Sequence, residues 1–306
     1  MKKNIIAIDL GSNSMSVLKM NCATKERIYA VTKTVKTADG LAQSGTISTG
    51  ALERVVRAIK EVQATIDFTD ATVKAVTTEA IRQASNGEEV LKSIAKETGI
   101  TFEVINGNQE ADYALLAVTK RLELLGVSPK SFVLADIGGG STELIFHYGD
   151  KTIAKSFKIG IVTLTQSHNG LKEISDAIPT VMADLRSFCD EVYAQYGKVE
   201  QLIATAGTPT TIAAMKLGLT YTTYDSEKIH GMVLERQDLV NQLGALLMMP
   251  KKQREISVGV GRADLIVSGV LIFEEIYNIT GFECSMVIDD GVREGVAFAV
   301  CMKSFM

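Results

Sequence analysis

One local pattern occurs twice in this chain, and it constrains the architecture more than any other feature. Near the start the sequence reads Ile5-Ile6-Ala7-Ile8-Asp9-Leu10-Gly11-Ser12-Asn13-Ser14 and continues Met15-Ser16-Val17-Leu18. Near the middle it reads Phe132-Val133-Leu134-Ala135-Asp136-Ile137-Gly138-Gly139-Gly140-Ser141 and continues Thr142-Glu143-Leu144-Ile145. Laid over each other without gaps, the two stretches place Asp9 on Asp136, Leu10 on Ile137, Gly11 on Gly138 and Ser14 on Ser141. Each copy is an apolar strand, an Asp at its end, a turn of small residues and a second strand, which is the signature of a β-hairpin. The repetition predicts a duplicated half.

The turn chemistry suits a phosphate. Glycine admits positive φ and lets a ligand approach the backbone without a Cβ in the way. Successive turn amides can point at one anion, so Gly11, Ser12, Asn13 and Ser14, and Gly138, Gly139, Gly140 and Ser141, are the candidate phosphate-binding residues. Asp9, Asp136 and Glu143 offer carboxylates to a hard cation such as Mg²⁺, with Mn²⁺ the alternative. No GxxxxGK[ST] occurs, nor a GxGxxG that opens a helix after a strand, so P-loop and Rossmann sites are poor readings.

The remainder of each half alternates strands and helices. Helical spacing of Leu52, Val55, Val56, Ile59 and Val62 predicts a helix over 49–66. Strands near 27–36, 72–76 and 102–105 and helices over 88–98 and 108–125 complete the first half. In the second, strands reach about 159, helices cover 172–196, and Leu202-Ile203-Ala204 reads as a buried strand. The segment Gly126-Val127-Ser128-Pro129-Lys130 is the expected boundary, giving domains 1–125 and 126–306.

A chain of 306 residues, 46% of them hydrophobic, fits two domains of about 150 residues each or one large α/β domain. Its 32 basic and 36 acidic residues give a net charge of −4, which argues against a general nucleic-acid partner. No apolar run approaches the ~20 residues of a membrane span, and the start Met1-Lys2-Lys3-Asn4 runs into a strand that soon meets Asp9, unlike a signal peptide. A soluble, cytoplasmic protein is expected. Cys22, Cys189, Cys284 and Cys301 lack CxxC spacing and are read as reduced, mostly buried thiols. His147, His168 and His230 show no triad or metal spacing, and the cluster from Leu246 to Pro250 is read as core.

These residues resemble the exopolyphosphatase/guanosine pentaphosphate phosphatase family, a branch of the actin, sugar-kinase and Hsp70-like superfamily. The likeness is carried by Ala7 to Ser14, by Thr78-Glu79-Ala80-Ile81-Arg82-Gln83-Ala84-Ser85-Asn86, by Gly107-Asn108-Gln109-Glu110-Ala111, by Asp136 to Glu143, by Ala206-Gly207-Thr208 and by Asp290-Gly291-Val292-Arg293-Glu294-Gly295. The resemblance implies an α/β fold of two ribonuclease-H-like domains around an interdomain cleft, in the short form without a C-terminal HD domain. It also implies Mg²⁺-dependent release of terminal phosphate from inorganic polyphosphate or from guanosine pentaphosphate, and a homodimer.

By the same resemblance Glu110 is the base that readies the attacking water, Arg82 contacts a phosphate, and Gly207 and Thr208 are candidate nucleotide contacts. Lys36 is a weaker phosphate candidate. Gln109 stands where the family usually has a second Glu. It is uncharged, so any metal or base-holding role of that Glu is in doubt. Two other classes stay open: an ATP-binding kinase or actin-like protein, and a non-catalytic polyphosphate or alarmone sensor.

Overall fold

The computed structural model describes residues 2–303. The first unit comprises the residues up to Ala117 together with those from Val292 onward, and the second comprises Val118–Gly291.

In the first unit β1 (Asn4–Leu10), β2 (Ser14–Asn21) and β3 (Arg27–Thr34) form an antiparallel meander. Then follow α1 (Leu41–Ser44), α2 (Thr49–Thr65), β4 (Ala71–Thr77), α3 (Glu79–Gln83), α4 (Gly87–Thr98), β5 (Phe102–Val104) and α5 (Gly107–Leu125), the last of which runs on into the second unit. The sheet order is β3-β2-β1-β4-β5, with β1, β4 and β5 parallel. β1 reads as a nearly unbroken apolar run because it is central, and Ile5, Ile6, Ala7 and Ile8 are buried on both faces. The helix expected over 49–66 is α2; its N-cap Ser48 accepts from the Ala51 amide, and it buries Ala51, Val55, Ala58, Ile59 and Val62.

The second unit repeats the plan. β6 (Phe132–Ile137), β7 (Thr142–Tyr148) and β8 (Lys151–Phe157) form the meander, followed by α6 (Ile161–Ser167), α7 (Leu171–Val181), α8 (Ala183–Tyr196), β9 (Gln201–Thr205) and α9 (Gly207–Lys216). A 3₁₀ turn at Tyr221–Thr223 leads to α10 (Ser226–Ile229), β10 (Met232–Glu235), α11 (Arg236–Met248), α12 (Lys251–Val258), α13 (Ile266–Thr280) and β11 (Cys284–Val287). The sheet order is β10-β11-β9-β6-β7-β8, with β6, β9 and β11 parallel. Two mixed sheets in an α/β chain match the predicted fold class.

The register shows that the duplication is structural. Asp9 lies opposite Ser16 and Asp136 opposite Glu143, the same ladder position in each copy of the device. Gly11 N donates to Ser14 O at 2.9 Å, and Gly138 N donates to Ser141 O at 2.9 Å.

Three expectations need correction. The units do not divide at 126–130: α14 (Val292–Lys303) belongs with the first unit, where it packs on β1 and β2. Its place there is set by contact. A Cβ on Gly295 would lie 1.9 Å from the Tyr113 carbonyl oxygen, so only glycine lets α14 meet α5 backbone to backbone. Second, Cys22 and Cys301 are not reduced thiols: they form a disulfide with Cα atoms 5.1 Å apart, joining α14 to the residue after β2. Cys189 is a buried free thiol, as expected, whereas Cys284 is exposed. Third, the cluster near Met248 is only partly core; Leu246 is buried, but Met248 is 88% exposed at the end of α11.

Candidate active site

In the first unit three site segments sit at the carboxyl ends of adjacent parallel strands, where ligands gather in open α/β sheets. The first loop follows β1, α3 follows β4, and α5 follows β5, in the sheet order β1-β4-β5.

The first loop is braced from behind. Asn13 O accepts from the amides of Val35 and Lys36, and Ser12 O accepts from that of Ala38. Arg54 holds this bracing segment by donating to the carbonyls of Val35 and Lys36, and Lys36 takes φ +51° to turn the chain there. Lys36 is thus fixed through its backbone. Thr77 Oγ1 donates to Leu10 O at 2.8 Å, pinning the end of β1.

The second loop is braced by the start of α6: Ile161 N donates to Gly138 O and Val162 N to Gly139 O. Among the described residues the backbone amides of Ser12, Asn13, Gly139 and Gly140 make no hydrogen bond to protein, although Ser12 and Asn13 are buried. Buried amides left unpaired in this way are donors awaiting an acceptor.

The loop glycines do not act as the sequence suggests. Neither Gly11 nor any of Gly138, Gly139 and Gly140 has positive φ. Close approach is the requirement instead. A Cβ on Gly138 would lie 2.9 Å from Ser141 O, and one on Gly160 would lie 2.3 Å from Gly139 O and 2.5 Å from Gly140 N.

Glu110 is buried in the first turn of α5, at the helix end whose dipole attracts negative charge. Asn106 Oδ1 accepts from Gln109 N and Gln109 Oε1 accepts from Asn106 N, both at 3.0 Å, a reciprocal capping box. Gln109 therefore serves the helix end, and a glutamine does this as well as a glutamate.

Arg82 does not stand free for a phosphate. Its Nη1 donates to Glu110 Oε2 at 3.0 Å and to Ile105 O at 2.6 Å, while Nε and Nη2 donate to Glu79 Oε2 at 2.9 and 2.6 Å. Burial acts to lower the Arg82 pKa, but the Glu110 and Glu79 carboxylates outweigh it and raise the pKa above its ordinary value. The sequence reading missed Glu79; its place three residues before Arg82 on a short helix was the available signal.

In the second unit Asp136 and Glu143 are cross-strand partners, and both are buried. Burial pushes the Asp136 carboxyl up to about 6, and Ser156 Oγ donates to Glu143 Oε1 at 2.6 Å. Paired oxygen donors held away from water suit a hard divalent cation. Asp9 is half-buried at the end of β1. Among the described residues no group of three or more His, Cys, Asp or Glu forms a ready metal cluster.

Gly207 opens α9 and Thr208 is wholly buried. The Thr208 hydroxyl faces α13, since a Cβ on Gly269 would lie 2.2 Å from Thr208 Oγ1, so it is turned inward instead of toward a ligand. Arg262 lies against Gly207: its Nη2 donates to Gly207 O at 2.9 Å and to Thr211 Oγ1 at 3.0 Å. His230 is buried, and its Nδ1 accepts from the Asp289 amide, a structural role as expected.

A family model described as the Ppx/GppA phosphatase family matches residues 19–304. The chain is 27% identical over 319 residues to Exopolyphosphatase 2 of Mycobacterium tuberculosis, covering 97% of this chain and 98% of that one. It is 24% identical over 299 residues to the guanosine-5′-triphosphate,3′-diphosphate pyrophosphatase of Aeromonas hydrophila, covering 96% of this chain but 58% of that enzyme. The crystal structure of the Aquifex aeolicus member of the Ppx/GppA family superposes with a TM-score of 0.75 at 29% identity, with 100% of both chains covered. No helix among the described residues is long and apolar enough to cross a membrane.

Proposed function

The chain belongs to the Ppx/GppA phosphatase family, a family of phosphoanhydride hydrolases, and we propose that it removes the terminal phosphate of inorganic polyphosphate as orthophosphate. The observation that carries this reading is the buried Glu110, held by Arg82 at the same strand edge as a loop whose Ser12 and Asn13 amides have no acceptor among the described residues. A phosphoanhydride already has a good leaving group, so hydrolysis needs positioning, charge neutralisation and an oriented water. In the first unit the amides of Ser12 and Asn13 bind phosphate oxygens, and Glu110 orients the water and accepts its proton; in the second the amides of Gly139 and Gly140 are the phosphate donors. In the second unit Asp136 and Glu143 would hold Mg²⁺, and in the first unit Asp9 offers a carboxylate at the end of β1. When bound, the cation supplies neutralisation of phosphate charge.

One observation favours polyphosphate over guanosine pentaphosphate: Arg262 fills the space against Gly207, where the resemblance places a nucleoside. Guanosine pentaphosphate is the second reading, supported by the Aeromonas relative. A homodimer is the proposed assembly, and light scattering measures it. The test is phosphate release from long-chain polyphosphate, guanosine pentaphosphate and ATP, with and without Mg²⁺. Polyphosphate as the preferred substrate supports the reading; preference for the guanosine compound replaces it with the second, and phosphoryl transfer from ATP to an acceptor overturns both.

A further inference from the structure

With Glu110 as the base, on which this inference rests, the geometry assigns to Glu79 the role of a positioning residue: it clamps the Arg82 guanidinium so that the Nη1 edge holds the Glu110 carboxylate in place. Arg82 is a long, rotamer-rich side chain, and its bond to Glu110, at 3.0 Å, does not by itself fix the whole side chain. The clamp comes from α3. Glu79 Oε2 receives both Nε and Nη2 of Arg82, and Gln83 Nε2 donates to the other oxygen, Oε1, which fixes the carboxylate plane. Glu79 is only 6% exposed, so these bonds form largely away from water.

The remaining edge of the guanidinium then faces α5. Nη1 meets Ile105 O, the backbone just before the α5 cap, and Glu110 in its first turn. Glu79, on the helix after β4, thereby controls the placement of a carboxylate on the helix after β5. Ala80 and Ile81 are the buried apolar anchors of α3. The polar atoms of Glu79 go to Arg82 and Gln83, a placement suited to orienting Arg82 more than to holding the helix down.

A role exerted through Arg82 has a signature that a structural role lacks. E79Q keeps the side-chain shape and removes the charge that gathers the guanidinium. In the full chain with polyphosphate and Mg²⁺, E79Q is expected to lower kcat about tenfold or more, with KM changed less than about twofold, as displacement of a catalytic group does. In an R82A background, assayed at raised enzyme concentration, the same substitution is expected to change kcat less than about twofold, because the path to Glu110 is already cut. E79A provides the same comparison should E79Q lower the melting temperature. Equal kcat losses in both backgrounds, or a loss confined to KM, would overturn the positioning role. E110A separates the two claims: an inactive E110A with additive E79Q leaves the base assignment standing and removes the clamp, whereas a fully active E110A removes the base itself.

Discussion

Breaking the Cys22–Cys301 bridge gives the sharpest test of how the chain is closed on itself. The two cysteines are 279 residues apart in sequence, yet their Cα atoms lie 5.1 Å apart, within the span a disulfide requires. Cross-linking stabilises mainly by removing conformations from the unfolded chain, and the chain-entropy relation gives about 5–6 kcal/mol at 25 °C for a loop of this length. If the second unit stays folded while the first unravels, the free loop shrinks to roughly 100 residues and the figure falls only to about 5 kcal/mol, because the dependence is logarithmic. Native bridges commonly deliver about 2–5 kcal/mol, so a loss of about 2–6 kcal/mol is expected.

The assay is urea denaturation followed by far-ultraviolet circular dichroism, since the chain has no tryptophan. Oxidised wild type is compared with protein reduced by a phosphine, and with C22A/C301A under both conditions. Alanine is chosen because Cys301 is fully buried and a serine hydroxyl there would lack a partner. Reductant should destabilise the wild type and leave the double variant unchanged. Thiol titration of denatured, unreduced protein should find two reactive groups, Cys189 and Cys284. Four reactive thiols would refute the reasoning, as would a reductant effect below about 0.5 kcal/mol, the size of an ordinary surface change.

Four further outcomes follow from the geometry. E110A should lose phosphate release by about a hundredfold or more while keeping its melting temperature within a few degrees, in line with removal of a general base. Q109E should keep the capping box and change kcat by less than about threefold; a large gain would show that charge at this position matters. G295A should cost about 1–3 kcal/mol or more in denaturant unfolding, because a methyl group there meets the Tyr113 carbonyl at 1.9 Å. The folded-state pKa of Asp136, about 6, lies above its ordinary 3.8, so the folded protein keeps a proton that the unfolded chain releases. In chelator, stability should therefore fall as pH rises from about 4 through 6, and D136N should flatten that slope; an unchanged slope in D136N would remove Asp136 as its cause.

Much of the first unit was legible because its signals are local. Apolar runs ending in Asp gave β1 and β6, helical spacing gave α2, and the repeated strand–turn–strand pattern gave the matched ladders. The helices expected over 172–196 are α7 and α8, with Pro179 inside the first and the join at Met182. Short elements such as α3 and β11 went unplaced, since so few residues carry no period of their own. Arg82 and Glu110 were chosen by motif, but their pairing depends on β4 and β5 being neighbours, a fact of sheet order that no single segment contains.

The amino-acid order alone determined the duplicated hairpin device, the α/β class and the identity of the acidic and small residues that serve it, because these depend on side-chain type and spacing within a few residues. Tertiary structure decided what those residues do to one another. It turned Arg82 onto Glu79 and Glu110, joined Cys22 to Cys301, returned α14 to the first unit and made Gly160 the close neighbour of Gly139. The physical reason is range. Local preference acts over one or two turns of chain, whereas charge pairing, cross-linking and backbone contact depend on distances that exist only after the sheets have formed.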